Sequence, residues 1–247
     1  MGMMQRKKIV VVLLALYWPA AFVLSHIPMP QVVRDTHTSD KSLHFLAYLV
    51  LTVLLWWAVK PDQKVRWRKA AAWWVLGIVI VYGVCDELLQ HFVAGRSTDA
   101  RDLVADAAGA VTALGVLSLL SFWPAALTVV GTIIFALAVF VRADVSQIVP
   151  VTATVFHLTA YALFTFLWAG CLHHWQALRK AGFGRFFALL AGPTGLMAVA
   201  KGSAMLSGKA FTKWDMIAGA VGVLAGAGVL TVAEMAKQRR ARNAECQ

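Results

Sequence analysis

The sequence predicts an all-α integral membrane protein of about eight transmembrane helices, arranged as two same-orientation four-helix repeats. Composition predicts the membrane class: 60% of the 247 residues are apolar, 14% are charged, and the mean hydropathy is +0.70. Soluble domains are about half apolar and about a quarter charged, so lipid has to solvate the excess. A soluble globular protein, a disordered chain and a disulfide scaffold are excluded on the same grounds.

The spans follow from apolar runs, because a helix needs about 20 apolar residues to cross roughly 30 Å of hydrocarbon. The first run follows Arg6, Lys7 and Lys8, as the core of a secretory signal would. It is longer than an ordinary signal core and no small-residue cleavage site follows, so we predict a retained first span. The predicted spans are residues 9–26, 43–59, 70–88, 102–121, 124–141, 152–172, 185–201 and 215–235.

Basic residues predict the orientation, because lysine and arginine in short loops are retained in the cytoplasm. With the amino terminus inside, most of the 23 basic residues lie in cytoplasmic loops and in the tail. We therefore predict a multi-pass protein of the cell inner (cytoplasmic) membrane with both termini cytoplasmic. The formal net charge of +11 is then explained by the basic residues of the cytoplasmic loops and tail. Nucleic acid is not an expected partner, because no continuous basic face forms.

An internal repeat is visible when the chain is shifted by 113 residues, which brings two stretches into register without gaps. The matches include several residue types on separate helices: His44 and His157, Tyr48 and Tyr161, Asp102 and Asp215, Gly109 and Gly222. We interpret them as a duplication of a four-span unit, with repeats at 1–121 and 122–247. An even number of spans gives both units one orientation, so an axis along the membrane normal would relate them.

The repeats differ in charge. Five polar residues of the first, Asp86, Glu87, Gln90, Arg101 and Asp106, correspond to Val199, Ala200, Ser203, Trp214 and Gly219. We therefore assign the polar site to the first repeat. The second, which ends in a basic cytoplasmic tail, is predicted to be a degenerate partner that supplies packing, a gate or part of a pocket.

Charges at the edge of a membrane span are costly and therefore indicate a functional site. In the first repeat they form helical stripes at the outer ends of spans 2, 3 and 4, with members three, four or seven residues apart. We predict that these stripes line one outward-facing cavity. The candidate ligand-binding residues are Asp40, Lys41, His44, Tyr48, Asp86, Glu87, Gln90, Arg96, Arg101, Asp102 and Asp106.

Structural roles compete with this interpretation. His44 could be a helix-end histidine whose hydrogen bonds are satisfied, and His157 more so, since it lacks charged neighbours in the sequence. Asp102 and Asp215 are placed to be N-caps of spans 4 and 8, where a carboxylate accepts backbone amides. Asp106 lies one turn deeper, so it is either protonated or paired with a cation such as Arg96, Arg101 or Lys41.

A metal site is also conceivable, because Glu87 and His91 are four residues apart, as are Asp102 and Asp106. No cysteine or histidine motif of the zinc type accompanies them. We therefore predict neither a metal nor another cofactor.

The same stripes carry a family resemblance. They contain Asp40-Lys41, His44-Phe45 and Tyr48, then Asp86-Glu87, Gln90, Phe92-Val93 and Gly95-Arg96, and finally Asp102, Asp106 and Gly109. In this combination the sequence resembles the VanZ-like family over residues 9–121, with Ala94 where the family usually has proline. The resemblance implies a small integral membrane protein related to the teicoplanin resistance protein, and hence a link to glycopeptide antibiotic resistance.

Three functions fit these residues, each with membrane lipids or a lipid-linked cell-wall precursor as partner. The first is binding or remodelling of an anionic amphiphile at the outer leaflet, with Lys41, Arg96 and Arg101 holding its phosphate. The second is a membrane-embedded transferase or hydrolase, in which Glu87 or Asp106 is the general base and His44 assists. The third is a lipid transporter. The parallel repeats favour this function, but transporters often have interrupted helices at corresponding positions of both repeats, and none is predicted here.

Overall fold

The structure is a computed structural model that describes residues 3–27, 40–93, 99–139, 150–174, 182–206 and 212–245. Over these residues the chain forms eight α-helices and no strand, which confirms the predicted all-α fold. The helices are α1 (Met3–His26), α2 (Asp40–Val59), α3 (Ala70–Gln90), α4 (Ala100–Leu119), α5 (Phe122–Val139), α6 (Pro150–His174), α7 (Gly182–Leu206) and α8 (Lys213–Glu245).

Seven of these helices are long and apolar enough to cross a membrane, by length and composition. The exception is α5, whose apolar stretch is the shorter segment Phe122–Ala136. In α8 the membrane-compatible stretch ends at Ala233, and the helix continues to Glu245. The predicted spans fall on these helices in order, and the protein is an all-α integral membrane protein of about eight helices.

Contacts divide the chain into two compact units, Met1–Ala125 and Ala126–Gln247. In the first unit α2 and α4 approach most closely at Gly109. A Cβ atom there would lie 2.3 Å from the carbonyl oxygen of Phe45 on α2. Only glycine permits this separation, so Gly109 sets the distance between the two helices.

Helices α1 and α3 pack beside this pair in the first unit. The Tyr17 hydroxyl of α1 donates to the backbone carbonyl of Ala47 on α2 at 3.0 Å. The Trp18 ring of α1 meets the Tyr82 ring of α3 edge-on, with centroids 5.3 Å apart. These two contacts hold α1 against α2 and α3.

The second unit contains a corresponding close helix pair. A Cβ atom at Gly222 of α8 would lie 2.3 Å from the carbonyl oxygen of Leu158 on α6. These two residues are offset by 113 from Gly109 and Phe45 of the first unit. The repeated contact supports our proposal that the two units arose by duplication.

Candidate functional site

A buried polar contact of the first unit joins His44 of α2 to Asp106 of α4. Nδ1 of His44 is 3.0 Å from Oδ1 of Asp106, and the side chains are 7% and 2% exposed. The pair forms because Gly109, one turn after Asp106, brings α4 against α2. The sequence predicted that Asp106 is either protonated or paired with a cation such as Arg96, Arg101 or Lys41. Among the described residues its neighbour is the histidine of the adjacent helix, and Arg96 lies outside them.

A lysine lies at the rim of the same cluster. Nζ of Lys41 is 2.9 Å from Oδ2 of Asp99 and 3.4 Å from Oδ1 of Asp102. The Lys41 and Asp99 side chains are both 39% exposed, whereas that of Asp102 is 6% exposed. Lys41 therefore connects a partly exposed carboxylate to a buried one.

Asp99, rather than Asp102, is the N-cap of α4. Its Oδ1 accepts a hydrogen bond from the Arg101 backbone amide at 2.9 Å. That amide and the Lys41 ammonium hold the pKa of Asp99 below its usual value. The helix begins at Ala100, two residues earlier than predicted, so the prediction that Asp102 is the N-cap is wrong. Asp102 lies in the first turn and faces Lys41 instead.

Glu87 of α3 fixes the chain where α4 begins. Its Oε1 accepts a hydrogen bond from the backbone amide of Asp99. Glu87 is buried, and its other oxygen, Oε2, has no hydrogen-bond partner among the described residues. The same holds for the buried hydroxyl of Tyr48. Buried polar atoms normally have partners, so these two are candidate contacts for a ligand.

Asp86 organises the α1 side of the cluster. Its Oδ1 accepts a hydrogen bond from the Ser25 hydroxyl at 3.0 Å and lies 3.6 Å from Nδ1 of His26. Its Oδ2 accepts a hydrogen bond from Gln90 Nε2, also at 3.0 Å. Sequence reasoning missed Ser25 and His26, although two adjacent polar residues that end an apolar run were a usable signal.

Comparison with known protein families identifies the first unit. The family described as VanZ/LLP1 matches residues 6–121, which include most of α1, all of α2 to α4 and the contacts of the polar cluster. The first unit is VanZ-like. Comparisons with curated proteins and with solved structures gave no match.

The VanZ-like unit brings most of the predicted site residues together. Lys41, His44, Glu87, Asp102 and Asp106 are connected through the contacts between α2, α3 and α4. Asp86 and Gln90 join from α3, and Asp86 is close enough to Asp106 to interact with it electrostatically. Tyr48 of α2 lies beside α3, with its ring 5.8 Å from that of Tyr82.

One predicted residue, Arg101, does not join these contacts through its side chain, and the side chains of two others lie outside what the structure describes. Arg101 is exposed, and its backbone amide is the group that contacts Asp99. Asp40 is the first residue of α2, and its side chain lies outside what the structure describes. Arg96 also lies outside the described residues.

The cluster of the VanZ-like unit is rich in acids. Its described members include five carboxylic acids, Asp86, Glu87, Asp99, Asp102 and Asp106, against one lysine and the histidines His26 and His44. In the described ranges no three histidine, cysteine or acidic side chains are grouped so that they could hold a metal ion. The described groups can therefore form hydrogen bonds through carboxylates, exchange a proton at histidine and bind an anion at the lysine of the rim.

Proposed function

We propose that this VanZ-like membrane protein binds or remodels an anionic amphiphile at the outer leaflet of the cytoplasmic membrane. The amphiphile would be a phospholipid or a lipid-linked cell-wall precursor. The proposal depends on Lys41, a partly exposed cation held between Asp99 and Asp102 at the rim of a buried polar cluster. Such a cluster is costly within a membrane protein and is retained where it contacts a ligand.

The rim is suited to the phosphate of the amphiphile. A lysine ammonium has three hydrogen-bond donors, and two of them face Asp99 and Asp102. The third can bind a phosphate oxygen through a charge-assisted hydrogen bond. The exposed Arg101, in the first turn of α4, is close enough along the chain to add a second cation.

The buried part is suited to hydroxyl or amine groups. The buried acids beyond the rim, Asp86, Glu87 and Asp106, would repel a phosphate that entered deeply, whereas carboxylates accept hydrogen bonds from hydroxyls. Oε2 of Glu87 and the Tyr48 hydroxyl are buried without a hydrogen-bond partner among the described residues, and so are Oδ1 of Asp102 and Nε2 of His26 in the same cluster. We therefore propose a head group with a phosphate and neighbouring hydroxyls, as in phosphatidylglycerol or a sugar linked to an isoprenoid phosphate.

Lipid retention by the purified full-length protein tests this proposal. Detergent-solubilised protein is incubated with phosphatidylglycerol or phosphatidylcholine, and the bound lipid is counted by native mass spectrometry. We expect preferential retention of phosphatidylglycerol and a loss of about tenfold, equivalent to about 1.4 kcal/mol, in Lys41→Met. Lys69→Met, which removes an exposed lysine before α3, is the matched control. Equal retention by both variants would refute the role of Lys41.

The buried His44–Asp106 pair favours a second candidate, a membrane-embedded transferase or hydrolase that acts on the same class of lipid. A carboxylate that holds a histidine is an arrangement used for general acid–base catalysis. Lipids extracted from cells that express wild type or His44→Asn distinguish the two. A lipid that accumulates only in the variant indicates catalysis, and an unchanged lipid profile indicates binding alone.

The proposed location requires the cluster to face outward and both termini to lie in the cytoplasm. Single cysteines at Arg96 and at Arg239 should react with a membrane-impermeant thiol reagent from opposite sides. Labelling from one side would contradict the orientation. The link to resistance is tested separately, by comparing teicoplanin susceptibility with and without expression of the protein.

A further inference from the structure

We propose that the groove between α1 and α3 of the first unit binds the hydrocarbon chain of the amphiphile whose head group occupies the polar cluster. This inference rests on the proposed function and extends it, because it assigns a binding site to α1.

The groove is apolar and is formed mainly by one face of α1. That face presents Val11, Leu14, Ala15, Trp18, Pro19 and Phe22. The lining residue outside α1 is Tyr82 of α3. The groove has a volume of about 500 Å³, within the range of roughly 300–1,000 Å³ that is usual for ligand sites. Its chemistry excludes a polar ligand and fits an alkyl or isoprenoid chain.

The groove is long enough for a lipid chain. Val11 and Phe22 bound it along α1, and at about 1.5 Å per residue they are about 16 Å apart. Half of a hydrocarbon core, the depth that one lipid chain occupies, is about 15 Å thick.

The groove ends at the polar cluster. The Phe22 ring lies 4.1 Å from the His26 ring, centroid to centroid, and His26 is beside Asp86. On α3, Tyr82 precedes Asp86 by one turn. A lipid whose chain lies in the groove would thus have its head group at the α1 side of the polar cluster, next to His26, which separates this groove from an ordinary lipid-facing surface.

Small residues in the groove offer a position where a larger side chain would fill it. Ala15 and Pro19 are four residues apart on α1, beside the larger Leu14, Trp18 and Phe22. A phenylalanine at Ala15 would fill the space beside the side chains of Leu14, Trp18 and Phe22. Ala20 is also exposed on α1 but does not line the groove, so Ala20→Phe is a matched control.

Photo-crosslinking of the full-length protein in phosphatidylcholine vesicles tests the inference. The probes are phosphatidylglycerol and phosphatidylcholine, each with a diazirine on one acyl chain, and the labelled peptides are identified by mass spectrometry. We expect phosphatidylglycerol to label residues 11–22 or Tyr82, and Ala15→Phe to lower this labelling by about tenfold. Ala20→Phe should leave the labelling unchanged.

Two other outcomes would overturn the inference. If phosphatidylglycerol is retained in a Lys41-dependent manner but labels α1 outside the groove, the groove assignment is wrong and the proposed function stands. If both probes label the groove equally and Lys41→Met changes nothing, the groove contacts only bulk lipid and the proposed function fails as well.

Discussion

The two units place an aspartate at the same position of their last helix and use it differently. In the first unit Asp102 faces Lys41, and another residue caps the helix. In the second unit Oδ2 of Asp215 accepts hydrogen bonds from the backbone amide and the hydroxyl of Thr212. The Asp215 amide in turn lies 3.4 Å from that hydroxyl, which makes a capping box. The prediction that Asp215 is the N-cap is wrong, because Asp215 lies in the first turn; it accepts the backbone amide of Thr212, the residue before the helix.

One residue of a neighbouring helix explains this difference. Asp99 and Thr212 match at the offset of 113, and both precede the first residue of a helix. In the first unit the Asp99 amide donates to Glu87, so Asp102 is left for Lys41. The position that matches Glu87 is Ala200, so Asp215 itself has to satisfy the Thr212 amide. The two aspartates therefore have different contacts where Glu87 is present and where alanine replaces it, and Asp215 also lies 3.6 Å from Nε2 of His157.

The largest expected effect tests what the units share. Gly109→Ala and Gly222→Ala each place a Cβ atom 2.3 Å from a backbone oxygen, so each should cost about 1–3 kcal/mol of stability. Thermal unfolding followed by tryptophan fluorescence measures the loss. Gly115→Ala and Gly228→Ala are matched controls, because nothing lies within 4 Å of either position. If only one of the two variants loses stability, the close helix pairs of the two units are not equivalent.

The next effect separates the two aspartates. Asp102→Asn removes a buried counter-charge of Lys41, and we expect lipid retention to fall by about tenfold or more, since breaking such a pair costs a few kcal/mol. Asp215→Asn keeps an oxygen for the Thr212 amide and should change stability and retention little. Native mass spectrometry at matched protein concentration gives both values. Equal losses would contradict the claim that only the first unit carries the site.

A smaller effect is expected when the first unit is made to resemble the second. In Glu87→Ala the Asp99 amide loses its acceptor, and we expect Asp102 to turn back toward it, as Asp215 does. Stability should then fall by only about 1 kcal/mol, while lipid retention falls with the loss of the Lys41 contact. Glu87→Gln keeps an acceptor and should retain most of the binding. If Glu87→Gln behaves like Glu87→Ala, the charge of Glu87 matters more than its hydrogen bond.

The smallest effect concerns the exposed end of the cluster. Asp99→Asn preserves the N-cap and removes an exposed ion pair with Lys41, so retention should fall by less than about twofold. Because the folded-state pKa of Asp99 is lowered, its contribution is complete above the unfolded value of about 3.9 and is lost as pH falls through the folded value. Retention by wild type and Asp99→Asn should therefore differ at neutral pH and converge in strong acid. A difference that persists in acid would exclude this pair as its cause.

The helical membrane fold could be predicted from sequence because hydropathy along the chain alone defines the spans. The faces of α2, α3 and α4 that carry polar residues were predictable from helical periodicity. The partners were not, because periodicity does not tell which face of one helix meets which face of another. His44 and Asp106 are 62 residues apart, and Ser25 and Asp86 are 61 apart. The cap at Asp99 was missed because its position depends on where α4 begins, which Glu87 helps to fix.

The contact between α1 and Asp86 also constrains how the protein is made. Ser25 is synthesised 61 residues before Asp86, the acceptor of its hydrogen bond. At about 5–20 residues per second, this interval is roughly 3–12 s. During that time α1 is in the membrane or its insertion machinery while its last turn lacks the carboxylate. Completion of α3 supplies that carboxylate, so the contacts of α1 with α3 form only after α3 is inserted, whereas its contact with Ala47 of α2 can form earlier.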